Sequence, residues 1–275
     1  PGREKPALPI AEIRKLHEAG DYRTALQEAA RAIRWGEEPK GNDKFELQLI
    51  RGDCLLNLED HPSALIAYEA AAKSPDVNVA TEARGTAFLI RHSQDMKYTP
   101  KQGGDPISIA DNASRKRAAS ALLTDQLAAD RRELEAALKA QTLEPILKVV
   151  QPILTLRALE FVATGQGTET ASLAQPIGER ARDLIDAELR RIDNRTRQLQ
   201  TLANQIPDDG TRRGLFSKDR NELRGSVAYL ERILETSKQA EHLAQLSGGT
   251  PEKWAQTIAD TQNVLQHATN VLAAD

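Results

Sequence analysis

The chain has 275 residues, 40% of them hydrophobic, and a formal net charge of -3, which is enough for one large domain or two ordinary ones. Aromatic residues make up only 4% and cysteine occurs once. The core must therefore be built from Ala, Leu, Ile and Val, and an internal disulfide framework is excluded. The charge balance argues against a strongly basic nucleic-acid binder, and no apolar run approaches the roughly 18 residues that span a bilayer.

The sequence starts at Pro1 rather than Met, so a trimmed or processed start is expected. A soluble chain is expected, with the cytoplasm slightly favoured. The Arg- and Ala-rich, Lys-poor composition points to a GC-rich bacterial genome.

The first organised stretch is "EAGDYRTALQEAARAI", Glu18 to Ile33. Gly20-Asp21 breaks one helical run and Tyr22 opens the next. Ala25, Ala29 and Ala32 then recur at spacings of four and three, on one helix face. A small residue at every turn lets two helices approach closely. "RGDCLLNLEDHPSALIAYEAAA", Arg51 to Ala72, repeats the spacing with Ala64, Tyr68 and Ala71. Gly52 lies where the first helix of that pair must come close to the second.

These residues resemble the tetratricopeptide repeat, an antiparallel helix pair of about 34 residues. Gly20, Tyr22, Ala25, Ala29 and Ala32 match the second half of the pattern; Gly52, Leu55, Ala64, Tyr68 and Ala71 match a whole repeat, and Pro75 lies near its usual closing proline. Pro9 stands in place of the bulky aromatic, Glu59 and His61 in place of Gly and Tyr, and "GEEPKGND", Gly36 to Asp43, stretches the repeat distance. A plain alanine-rich array of helical hairpins is the alternative. The resemblance implies a concave groove that binds an extended peptide or a helix. By register it assigns Arg14, His17, Asp53, Asn57 and Arg91 to that groove as partner-binding residues. The family's best-known groove clamps a C-terminal carboxylate; Asp53 has the wrong sign for such a clamp. A solvated helix face without a ligand is the alternative here.

A third helix follows from Val77, with Ala80, Ala83, Ala87 and Ile90 on one stripe and no clean partner after it. It is expected to cap the array and seat it against the C-terminal bundle. "KYTPKQGGDPIS", Lys97 to Ser108, reads as a loop. The expected division is 1–96 for the repeats, 97–112 for a linker and 113–275 for a bundle.

Beyond the loop, "SRKRAAS" near Ser114 is a basic helix start without interleaved aromatics, and so a weak nucleic-acid signal. "ALLTDQLAADRRELEAALKA" is an amphipathic helix. "EPILKVVQPILTLRALEFVA" is apolar all round and reads as buried, with Pro145 in its first turn and Pro152 as a kink or restart. Ile177, Ala181, Leu184, Glu188, Ile192, Arg195, Leu199, Leu202 and Ile206 mark a long stripe. A helix from about Arg220 carries Leu223, Val227, Leu230, Leu234 and Leu243. A last helix opens at Thr250-Pro251 and presents Trp254, Ile258, Thr261, Leu265, Ala268 and Leu272. The fold expected is all-α: repeat-like helix pairs, then an up-and-down bundle of long helices.

The sequence carries no familiar catalytic motif. "KQGGDP" and "TGQGTE" lack the Gly-Lys-Ser/Thr of a phosphate loop. None of the five histidines opens a His-Glu-x-x-His motif, and one cysteine makes no thiolate zinc site. No nucleophile elbow is present. No catalytic residue, cofactor or metal is therefore expected, and an enzyme of unfamiliar type ranks last.

"TRRGLFSKDRNELR" offers a second surface. Arg212, Arg213, Phe216 and Lys218 cluster around an expected loop tip, suited to a protein partner or, more weakly, an anionic membrane; the alternative is that Leu215 and Phe216 tuck into the bundle. The function expected is a non-enzymatic protein–protein interaction scaffold using the repeat groove, without specific nucleic acid. A structural or membrane-peripheral subunit acting through the bundle is the runner-up.

Overall fold

The computed structural model describes residues 8–35, 43–205, 217–246 and 250–273. Within them the chain is all-α, with ten helices and one minimal hairpin: α1 Ile10–Glu18, α2 Tyr22–Trp35, α3 Asp43–Asn57, α4 His61–Ala71, α5 Val77–Arg91, β1 Lys97–Tyr98, β2 Ile107–Ser108, α6 Asn112–Leu138, α7 Leu143–Thr164, α8 Thr168–Gln205, α9 Ser217–Leu246 and α10 Pro251–Ala273. Two compact units divide the chain, one of residues 1–131 and 152–170, the other of 132–151 and 171–275. The expected division at 97–112 coincides with none of the three points where the chain passes between them.

In the first unit two turns repeat one another. After α1, Gly20 N–H donates to His17 O at 3.0 Å and Asp21 N–H to Leu16 O at 3.0 Å; after α3, Glu59 N–H donates to Leu56 O at 3.0 Å and Asp60 N–H to Leu55 O at 2.9 Å. Each turn then caps the next helix with an aspartate, Asp21 accepting from Thr24 N–H and Asp60 from Ser63 N–H, both at 3.2 Å. This pattern needs a left-handed residue just past the helix end. Gly20 supplies it at φ 81°, and Glu59 is forced into it at φ 62°.

Small residues set the helix spacing. Ala25, Ala29, Ala64, Ala67 and Ala71 are fully enclosed. Ile13, Leu47, Ile50 and Cys54 pack around Ala25 and Ala29, with Ile10, Leu16, Tyr22, Leu26 and Ile33 at the margin. The fifth helix buries its expected stripe, Ala80, Ala83, Ala87 and Ile90, and starts on Asp76, whose carboxylate accepts from Asn78 and Val79 N–H. Gly85 lies on the opposite side of this helix, and that side is covered by a helix far along the chain. A Cβ on Gly85 would meet Ala158 O and stand 2.7 Å from Val162 Cγ2. The second half of α7 therefore lies on α5, and those residues belong to the first unit, not to the second.

Pro152 neither restarts the helix nor ends it: α7 runs through it, and the chain passes from the second unit to the first at that point. Helix α8 begins on a buried carboxylate. Glu160 accepts from Glu169 N–H and Thr170 N–H, each at 2.9 Å, and from the Thr170 hydroxyl. An acid at a helix start satisfies orphan amides and opposes the helix dipole.

The 97–108 stretch is ordered at both ends. Lys97 pairs with Ser108 and Tyr98 with Ile107, after a tight turn with Asp95 and Met96 both left-handed. Tyr98 is buried, its hydroxyl 2.5 Å from Asp125 Oδ2, which also accepts Lys101 N–H at 2.7 Å. Residues 101–106 are exposed.

In the second unit α8 runs 38 residues, about 57 Å. Its buried seam is Ile177, Ala181, Ile185, Leu189, Ile192, Thr196 and Leu199, one residue along from the expected Leu184, Glu188 and Arg195. Leu202 is 47% exposed. Trp254, Thr261 and Ala268 of α10 are buried as expected, as are Leu223 and Leu230 of α9. The bidentate pair of Arg232 with Glu144, at 3.1 Å, joins α9 to the start of α7.

Candidate functional site

The five residues assigned to a groove come from α1, α3 and α5, and the structure gives each a partner or a packing place. Arg14 of α1 reaches Glu46 of α3 at 3.2 Å, and Arg91 of α5 reaches Glu69 of α4 at 2.6 Å. Both arginine side chains are 51% exposed, so each pair is held in a screened setting and is worth no more than about 1 kcal/mol. His17 packs edge-on against Tyr22. Asn57 donates to the Asp53 carbonyl one turn back, at 2.9 Å. Of the five, Asn57 and Asp53 are directly bonded to each other; Arg14 and Arg91 go to different glutamates.

Asp53 is not open to solvent as the groove reading expects. Arg115 Nη1, from the first turn of α6, pairs with its Oδ1, and the Tyr68 hydroxyl donates to the same oxygen at 2.5 Å. The guanidinium also meets the Tyr68 oxygen at 3.1 Å, Ile109 O at 3.3 Å and Ala110 O at 3.1 Å. Arg115 is 6% exposed at the side chain and Asp53 20%.

Three helices thus converge on one charge. Tyr68 reaches the cluster past Gly52, where a Cβ would be 2.8 Å from its Cε2. Glu82 of α5 is half-buried and feels the same charges. Burial, then repulsion from Asp53, pushes its carboxyl above the usual range against the pull of Arg115 and Lys116. Burial works against the Arg115 charge, but Tyr68, Asp53 and Glu82 outweigh it and the guanidinium stays firmly protonated. Burial holds the Tyr68 phenol well above its ordinary value, so it remains a donor.

Arg115 carried a sequence signal. It stands three, four and seven residues before Ala118, Ala119 and Leu122, all buried, and so sits on the apolar stripe of α6. A cation on such a stripe needs an acid from elsewhere. Asp111 caps the helix by accepting Ser114 N–H at 2.9 Å, and that bond holds its carboxyl below the usual range.

The second surface fares differently. Arg212, Arg213 and Phe216 lie outside the described residues, and so does the expected tuck of Leu215 and Phe216. Lys218 is exposed in the first turn of α9.

The second unit has its own polar groove, of about 520 Å³, between α8 and α10. His267 Nδ1 is 2.9 Å from Asp193 Oδ1 and its Nε2 is 3.2 Å from Gln200 Oε1. Asp193 also pairs with Arg197 at 2.7 Å. Burial, with Asp260 and Asp183 adding to it against Arg190, raises the Asp186 carboxyl above its ordinary value. Each ring nitrogen of His267 thus faces an oxygen, which makes the pair a clasp between helices.

Among the described residues no group of three or more His, Cys, Asp or Glu is arranged to hold a metal ion, and no helix is long and apolar enough to cross a membrane. No family model matches the chain, and neither a curated protein nor a solved structure matches it.

Proposed function

We propose that the chain is a non-enzymatic protein–protein interaction scaffold and that its first unit is the binding module. The observation that carries this reading is Arg115 on Asp53: a helix already lies on the α3 side of the face assigned to a partner, held by charge and hydrogen bonds. Two features add support. The turns at 19–21 and 58–60 use one set of hydrogen bonds, in keeping with a tetratricopeptide-like pair of hairpins. Arg14 and Arg91 are held in exposed ion pairs, which a partner's carboxylates displace at small cost.

The test is capture of binding proteins by the full chain, compared with the double variant Arg14→Glu and Arg91→Glu. The reading expects the variant to keep its helicity and melting temperature and to lose partners that the wild type retains. An unchanged set of captured proteins contradicts it.

A further inference from the structure

The Asp53 cluster has the form of a recognition site filled from within the chain. Asp53 and Tyr68 come from two different helices and bring a carboxylate and a phenol to one guanidinium. Stability alone does not explain the arrangement, because a buried ion pair seldom outperforms well-packed apolar groups of the same size. Specificity for a guanidinium does explain it: the site matches charge and directed acceptors to a group that Lys cannot imitate.

We infer that the Asp53–Tyr68 site recognises an arginine side chain, that the start of α6 occupies it in cis, and that an arginine-bearing partner helix takes it when that start is displaced. This rests on the interaction reading above and names the chemistry of the partner. The hydrogen bonds that must break are few. Arg115 directs its other donors to the Ile109 and Ala110 carbonyls; Ile109 is fully enclosed and its N–H donates to Met96 O at 2.9 Å, so that segment stays while the first turn of α6 leaves it. Only the bonds to Asp53 and Tyr68 cross to the hairpins. Lys116 and Arg117 are exposed, so unwinding the first turns of α6 returns cations to water. The Tyr98–Asp125 anchor lies further along the helix and need not move. An incoming arginine replaces Arg115 charge for charge, so no carboxylate is left buried and unpaired.

The probe is a fluorescent peptide copying Asp111 to Ser120, DNASRKRAAS, titrated into the full-length wild type and into full-length Arg115→Gln. In the wild type the tethered arginine competes at high effective concentration. The peptide is therefore expected to bind Arg115→Gln at least about tenfold tighter than the wild type, and a peptide that itself carries Arg115→Gln is expected not to bind. Equal affinities, or no binding to a folded Arg115→Gln protein, overturn the inference. If that variant is unfolded by circular dichroism, hydrogen exchange in the wild type decides. Faster exchange of amides 112–118 in excess peptide supports the inference, and unchanged exchange overturns it. The capture experiment with Arg14 and Arg91 reads a different part of the surface. A failed peptide with successful capture refutes the arginine site alone; loss of both refutes the interaction reading as well.

Discussion

Gly52 of α3 lies against the ring of Tyr68 of α4 so closely that a Cβ there would stand 2.8 Å from Cε2 and 2.9 Å from Cζ. The ring is fully enclosed and its hydroxyl is tied to Asp53, so it has no way to retreat. Gly52→Ala is expected to cost about 1–3 kcal/mol by overpacking. Ala64→Leu, at the next fully buried small site on α4, is expected to cost a similar amount. Urea denaturation midpoints check both, and an unshifted midpoint for either contradicts the packing described.

Glu59 pays for a backbone conformation that suits glycine. Its φ of 62° matches that of Gly20, at 81°, in the equivalent turn, and a Cβ on Gly20 would meet nothing within 4 Å. The turn therefore selects on backbone strain rather than on space. Glu59→Gly is expected to stabilise the protein by about 0.5–1 kcal/mol, and Gly20→Ala to destabilise it by about 1 kcal/mol. Thermal melts that shift both variants the same way sink this reading.

Cys54 is a fully buried thiol, and burial, then the neighbouring Asp53 charge, pushes its pKa up to about 12. The thiolate is the reactive form. Iodoacetamide at pH 8 is expected to leave native protein unmodified while labelling it promptly in guanidinium, as mass spectrometry reads directly. Prompt labelling of the native protein contradicts the burial.

Much of the first unit was legible because its constraints are local. Small residues at four-and-three spacing and Gly20 each act within one hairpin, and Ala25, Ala29, Ala64 and Ala71 are buried as the spacing implies. The cover of the Gly85 side of α5 was not legible, since Gly85 meets Ala158 more than seventy residues later. Arg115 was read only as part of a basic helix start, because its acid is 62 residues away. On α8 the expected seam is right at Ile177, Ala181, Ile192 and Leu199 and one residue off at Leu184, Glu188 and Arg195; Ile206 lies outside the described residues. That helix packs on both α9 and α10, as its contacts from Arg195 to Glu222 and from Asp193 to His267 show. Its buried face is thus broad, and stripes one residue apart score almost alike.

Glu82 gives a pH test. Its carboxyl is raised, by burial and then by Asp53, so folding favours its protonated form. Its contribution to stability is full below the ordinary carboxylate pKa and is lost as pH rises through the raised value. Glu82→Gln is expected to raise the melting temperature at pH 7 and to flatten that part of the pH profile. A variant less stable than wild type at pH 7 would show that the attraction of Glu82 to Arg115 outweighs its burial.

The account rests most heavily on Arg115 and Asp53 forming one buried unit that joins α6 to the hairpins. A double-mutant cycle of Asp53→Asn and Arg115→Met in the full chain measures it. Each single change leaves the opposite charge buried and is expected to cost about 3–5 kcal/mol. The double variant is expected to be more stable than additivity allows, by about 1–3 kcal/mol. Costs that add to within about 0.5 kcal/mol would mean that the two residues do not act together, and would contradict the central claim.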